Sequence, residues 1–206
     1  MPKGLLLASF NFRNAAPDEF NDWYDTEHLP ERAGVAGFLT WQRWLGADDL
    51  HISVATYDLD TVGVLASPAY QKIAGPNLSP WSKRITAKCE RILRFEGEQI
   101  LPGDQVGPAQ AGALLLNAMN IAPEAEADFN TWYDEEHIPA LAAVTDVLCA
   151  RRFRATQSPV KYVALYHMVS PEVVTSAAWK KAVETPWTQR IRPHMRDRLR
   201  IVCKAY

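Results

Sequence analysis

Phe20-Asn21-Asp22-Trp23-Tyr24-Asp25-Thr26-Glu27-His28-Leu29-Pro30 recurs later in the chain as Phe129-Asn130-Thr131-Trp132-Tyr133-Asp134-Glu135-Glu136-His137-Ile138-Pro139. Eight of the eleven positions are identical, at a constant offset of 109. The same offset matches Leu5-Leu6-Leu7 with Leu114-Leu115-Leu116, Arg43 with Arg152, and Tyr57 with Tyr166. After a three-residue deletion, Pro80-Trp81 matches Pro186-Trp187 at offset 106. Matches in the same order along the chain identify an internal repeat. Pro102, Gly103, Gly107 and Pro108 give the stretch between the copies a linker composition. The chain therefore divides into a first repeat over 1–96, a linker over 97–111 and a second repeat over 112–206.

Each copy reads as strand, helix, strand, strand, helix, strand. Leu5 to Phe12 is a buried apolar strand. Pro17-Asp18-Glu19 starts a helix, with proline in its first turn and acids at the positive end of the dipole. Phe20, Trp23, Tyr24 and His28 share one face of that helix, and Pro30 is expected to end it. Phe38 to Leu45 and Ile52 to Tyr57 read as paired strands. A helical stretch over 61–74, the Pro80-Trp81 segment and a strand from Lys88 to Phe95 complete the copy. A βαββαβ unit covers one sheet face with helices and leaves the other bare. Two copies in one chain can bury their bare faces together. The expected fold is α+β: two tandem ferredoxin-like units packed sheet to sheet as an intrachain α/β barrel.

The 206 residues are 48% hydrophobic with a net charge of −2, which suits a globular chain with a core. The near-neutral balance argues against a nucleic-acid partner, and no apolar run is long enough for a membrane span or a signal-peptide core. Cys89, Cys149 and Cys203 are odd in number and widely spaced, so reduced thiols in the cytoplasm are expected.

The βαββαβ repeat with its Phe-Asn-x-Trp-Tyr-Asp-x-Glu-His-hydrophobic-Pro helix resembles the dimeric α/β-barrel superfamily, and within it the EthD-like proteins. The resemblance covers almost the whole chain. It implies a barrel formed inside one chain, since most relatives carry one unit and pair two chains. It also implies a range of activities: cofactor-free lyases, decarboxylases, isomerases and cyclases, small oxygenases, and haem proteins.

Asp25 with His28, and Asp134 with His137, are the leading catalytic candidates. At i, i+3 on a helix they are neighbours, and a carboxylate beside an imidazole fixes its tautomer and raises its basicity. A helix C-terminus at His28 would favour the protonated ring. The plain alternative is that each pair ties the helix end to the next loop. Tyr24 and Tyr133 share the histidines' face and could bind a carbonyl or enolate oxygen. Arg43 and Arg152 could hold a carboxylate or phenolate. Trp41 and Trp44, with Phe10 and Phe12, would give the first copy an aromatic cavity wall where the second has Ala150, Phe153, Met119 and Ile121. Glu27 and Glu136 read as solvated acids. Arg190, Arg192, His194, Arg196, Arg198 and Arg200 form the one basic cluster, consistent with the polar outer face of a strand and, less often, with anion binding.

No dinucleotide fingerprint, phosphate loop, metal-ligand spacing or nucleophile elbow is present, so no cofactor and no metal are expected. The expected function is cofactor-independent acid/base chemistry (lyase, decarboxylase, dehydratase or isomerase) on a hydrophobic aromatic or polyketide-like carbonyl compound. In it a histidine moves the proton and a tyrosine or arginine stabilises the oxyanion. The alternatives are a small oxygenase, cofactor-free or with a haem on His28, His137 or His167, and a non-catalytic ligand-binding barrel. The expected partner is a small hydrophobic or aromatic molecule, with barrels able to pair as a homodimer.

Overall fold

The structure is a computed structural model describing residues 1–206. Its strands are β1 (Gly4–Asn11), β2 (Phe38–Gly46), β3 (Ile52–Leu59), β4 (Glu90–Leu101), β5 (Ala113–Ile121), β6 (Val147–Gln157), β7 (Tyr162–Met168) and β8 (Met195–Ala205). They close into one antiparallel barrel in the order β1-β3-β2-β8-β5-β7-β6-β4. Within each half, the first strand is flanked by the third and fourth. Leu5 and Leu7 alternate with Leu6, so one set fills the barrel and the other faces the helices. The interior also takes Trp44, Phe95, Phe153 and Leu165, and is packed with side chains.

The halves meet by more than face-to-face packing. β4 hydrogen-bonds to β6, with Gly97 opposite Ala155 and Leu101 opposite Arg152, and β2 pairs with the end of β8. Closure removes the open edges that two stacked sheets would leave. As a result β4 runs on to Leu101, through the first part of the stretch read as linker. Gly97 lies inside that strand because a Cβ there would meet the Arg154 carbonyl at 2.5 Å and the Phe95 ring at 2.6 Å.

The helices lie outside the barrel. In the first half they are α1 (Pro17–Trp23), α2 (Leu29–Ala33), α3 (Pro68–Gln71) and α4 (Pro80–Lys88). In the second they are α5 (Glu126–Trp132), α6 (Ile138–Ala142), α7 (Ala177–Val183) and α8 (Pro186–Ile191). Pro30 does not end the first helix as expected. A π-helical turn over Tyr24–His28 joins α1 to α2, with the Leu29 N–H bonded to the Tyr24 carbonyl. A proline clashes with the carbonyl four residues back and offers no N–H. The wider turn relieves the clash, and Pro30 falls in the first turn of α2, where no N–H is needed. Tyr133–His137 repeats the device between α5 and α6.

Behind β4 the chain crosses one end of the barrel. The Gly107 N–H donates to Asp58 Oδ2 at 2.7 Å, and Asp58 Oδ1 accepts from Arg151 at 2.6 Å, both side chains fully buried. A Cβ on residue 107 would lie 2.8 Å from His167 Nε2 and 2.9 Å from Gln42 Oε1, so glycine is required.

Candidate functional site

The π turn aims Tyr24 and His28 at the sheet. His28 packs on Trp23 and edge-on to Tyr24, at ring-centroid distances of 4.4 and 5.0 Å. The arm is pinned from behind. Glu27, read as a solvated acid, accepts from Ser79 Oγ at 2.5 Å and Ser82 Oγ at 3.1 Å, while Trp23 Nε1 donates to Ser82. Glu136 accepts from Thr185 in the same way at 2.6 Å.

The expected Asp–His pairs do not form. Asp25 instead accepts from Arg43 Nη1 at 2.7 Å, and Asn21 accepts from Arg43 Nη2 at 2.7 Å. Arg152 makes the matching bonds to Asp134 and Asn130 at 2.7 and 2.9 Å. The i, i+3 neighbourhood belongs to an α-turn, and the wider π turn swings Asp25 to the side that faces β2. Arg43 lies 4.4 Å over the Tyr24 ring and 3.8 Å over the C-terminal Tyr206 ring, and Arg152 lies 4.1 Å over Tyr133. Both arginines are buried ties between strand and arm, and neither lines the cavity beside His28 or the one beside His137.

A cavity of about 820 Å³ lies between β1, β4 and the first-half helices. Leu6, Ala8, Phe10, His28, Arg32 and Tyr57 line it, with Tyr70, Arg91, Arg94 and Glu96. The second-half counterpart, about 240 Å³, is lined by Leu115, Asn117, Met119, Tyr133, His137 and Trp179 among others. Phe10 and Met119 face the cavities as expected, but Phe12 stacks on Phe20 at 4.0 Å in the core. Trp44 lies inside the barrel, and Trp41 is 43% exposed on the outside. Neither tryptophan reaches His28's cavity: alternation turns Trp44 to the barrel interior, and Trp41, though outside, lies on β2, which contributes no residue to that cavity.

Burial, followed by the charges of Arg32 and Arg43, holds the His28 imidazole well below its usual range. Burial with Arg152 and Arg192 takes His137 down to about 3. The rings are therefore neutral near pH 7, contrary to the expectation drawn from the helix dipole. The helix continues to Ala33, so His28 does not sit at its end. Nδ1 of each histidine is buried without a hydrogen-bond partner. Burial and the adjacent Tyr24 hydroxyl push Tyr57 well up, and burial and Tyr133 do the same to Tyr166.

Sequence reasoning passed over Arg32, Tyr57 and Asn21 as site or anchoring residues. Tyr57 and Asn21 carried a signal, since both recur at offset 109. Arg32 carried none, because its counterpart is Leu141. It is 4% exposed, and its Nη1 donates to the His28 carbonyl at 2.9 Å. His167 does not fit a haem iron: it is fully buried inside the barrel beside Trp44, and none of the described cavities reaches it. His28 fits that role better, as a neutral ring on the larger cavity.

No family model matches the sequence, and no curated protein matches it. Solved structures share the fold over nearly the full length. An anthrone oxidase-like protein superposes with a TM-score of 0.67 at 12% identity, covering 98% of this chain and 91% of that one. A mutant chlorite dismutase from Candidatus Nitrospira defluvii, in complex with cyanide, gives 0.66 at 11% identity, covering 99% and 90%. A Fusobacterium nucleatum protein provisionally described as a monooxygenase gives 0.64 at 8% identity, covering 99% and 92%. The chain thus shares the barrel fold of these proteins. No helix in it is long and apolar enough to cross a membrane.

Proposed function

We propose that the first-half cavity is the working site of a cofactor-independent enzyme that removes a proton from an aromatic or polyketide-like carbonyl compound. One observation carries this reading: a buried neutral imidazole and a buried guanidinium, His28 and Arg32, line the same cavity beside Leu6, Phe10 and Leu65. A neutral imidazole accepts a proton, and the Arg32 guanidinium, whose Nη1 is paired with Glu31 at 3.2 Å, offers its other N–H groups to the enolate or phenolate left behind. Tyr57 adds a hydroxyl that stays protonated and can donate to the same oxygen. Lyase, decarboxylase, dehydratase and isomerase outcomes differ only in what the anion does next.

The likeness to an anthrone oxidase-like protein favours a second reading, in which the same anion reacts with oxygen. A haem held by His28 would supply oxygen chemistry of another kind. An anthrone is the probe for these readings. Without oxygen, deuterium exchange at its acidic carbon reports proton transfer; in air, oxygen uptake reports oxidation, and a visible absorption band reports haem. His28→Ala should slow exchange by roughly 10²-fold or more. Full exchange activity in His28→Ala overturns the assignment.

The chain is further read as two tandem EthD-like units, with bodies over 1–96 and 112–206, in which Leu141 stands at the position of Arg32. Its barrels can pair as a homodimer. The free thiols Cys89, Cys149 and Cys203 support a cytoplasmic setting.

A further inference from the structure

The second-half cavity lacks an ion pair that its first-half counterpart makes on the matching strand. On β4, Arg94 stands opposite Ala8 and Glu96 opposite Leu6; on β8, Arg200 stands opposite Asn117 and Val202 opposite Leu115. Arg94 is ion-paired with Glu96 and donates to the Tyr70 hydroxyl at 3.4 Å. Val202 and Trp179 replace those two partners, and Arg200 makes neither an ion pair nor a hydrogen bond. Burial and the neighbouring Arg198 pull its guanidinium below the usual value, with Asp48 acting against them.

Arg198 also makes no ion pair or hydrogen bond, and both arginines are exposed, free to meet an anion that enters from solvent. It sits where β8 slips register between Ala118 and Asn120, next to Asp197 at φ 49°, which Asn120 holds through a 2.8 Å bond. A bulge of this kind re-aims side chains and is common beside functional sites. The one carboxylate on the cavity wall, Glu184, is taken up by Arg192 at 2.7 Å. Leu115, Asn117 and Met119 of β5 line the same cavity, and the buried His137 Nδ1 has no partner.

We infer that the second-half cavity is a separate binding site for a small aromatic carboxylate, its ring on Leu115, Met119 and Trp179 and its carboxylate between Arg198 and Arg200. The volume of about 240 Å³ is below that of pockets for drug-sized ligands and suits a single ring. Guanidinium groups bind carboxylates through short, charge-assisted bonds. The site stands whether or not His28 moves a proton.

Benzoate is the probe and benzamide its uncharged isostere. No tryptophan lines the first cavity, so the Trp179 indole N–H resonance, assigned with Trp179→Phe, reports on the second alone. The resonance should shift saturably with benzoate and respond at least about tenfold more weakly to benzamide, a difference of roughly 1.4 kcal/mol. Arg198→Gln/Arg200→Gln should remove the response, and Arg32→Leu should leave it intact. Raising ionic strength from about 0.01 M to about 1 M should weaken benzoate binding in the unaltered protein, as the Debye length falls from about 30 Å to about 3 Å. No saturable shift, an equal response to benzamide, a response that survives in the double variant, or salt-insensitive binding each overturns the site.

Discussion

His28 and Arg32 lie one helical turn apart and face one cavity, so each sets the chemistry of the other. The guanidinium helps keep the imidazole unprotonated and supplies the charge that a developing oxyanion needs. The rate should therefore stay level near neutrality and fall only when acid drives a proton onto His28, below the ordinary histidine range. Arg32→Leu, which copies Leu141 of the second half, removes one of the cations that depress His28. The acid limb of kcat/KM should then move to higher pH. The plateau should drop by roughly 10²-fold, the cost of losing one oxyanion-stabilising group. Burial remains the larger cause of the depression, so the limb should stop short of the unperturbed value of about 6.5. A profile that keeps its limb while losing rate would leave Arg32 as a charge partner of the substrate alone.

At the scale of elements, the α1–π–α2 arm carries most of the local design. The π turn admits Pro30 in mid-arm, turns Tyr24 and His28 toward the sheet, and leaves Asp25 facing β2. Arg43 fastens the arm to β2 through Asn21 and Asp25, with its guanidinium between two aromatic rings. Asp25 is thus an anchor rather than the partner of His28. Asp25→Asn should lower unfolding free energy by about 1 kcal/mol, a modest cost because its side chain is nearly half exposed. It should leave kcat within about twofold of the unaltered enzyme. Urea denaturation and steady-state kinetics on the same preparation check both. A large fall in kcat at unchanged stability would restore Asp25 to the catalytic machinery. The i, i+3 rule misplaced Asp25 because that rule presumes an unbroken α-helix, and Pro30 reads in sequence as a helix end rather than as a π turn.

At the scale of the whole molecule, the halves differ where they meet inside the barrel. Offset 109 relates Gln42 to Arg151 and Asp58 to His167. Strict repetition would bring like residues together at the centre. Divergence instead produces the Asp58–Arg151 pair, which joins β3 to β6 across the two halves and takes up the Gly107 amide. Asp58→Asn leaves the Arg151 charge buried without a counter-ion, which typically costs about 3–5 kcal/mol. The urea midpoint should fall with an unchanged slope if the halves unfold as one unit. Two separate transitions would mean that this pair couples halves able to stand apart.

The sequence by itself determined the repeat, the order of elements in each half, the inward set of Phe20, Trp23, Tyr24 and His28, and the differing cavity walls at Phe10 and Met119. Those features rest on local periodicity, turn chemistry and self-similarity, which a linear chain displays. Only the tertiary structure decided that β4 extends to join β6, that Asp25 binds Arg43, that Trp44 fills the barrel while Trp41 faces solvent, and that Arg32 reaches the cavity beside His28. Each of these depends on which distant residues stand opposite one another once the barrel closes. A one-residue change of register or one wider helical turn reverses such an outcome without altering the pattern of hydrophobic and polar residues.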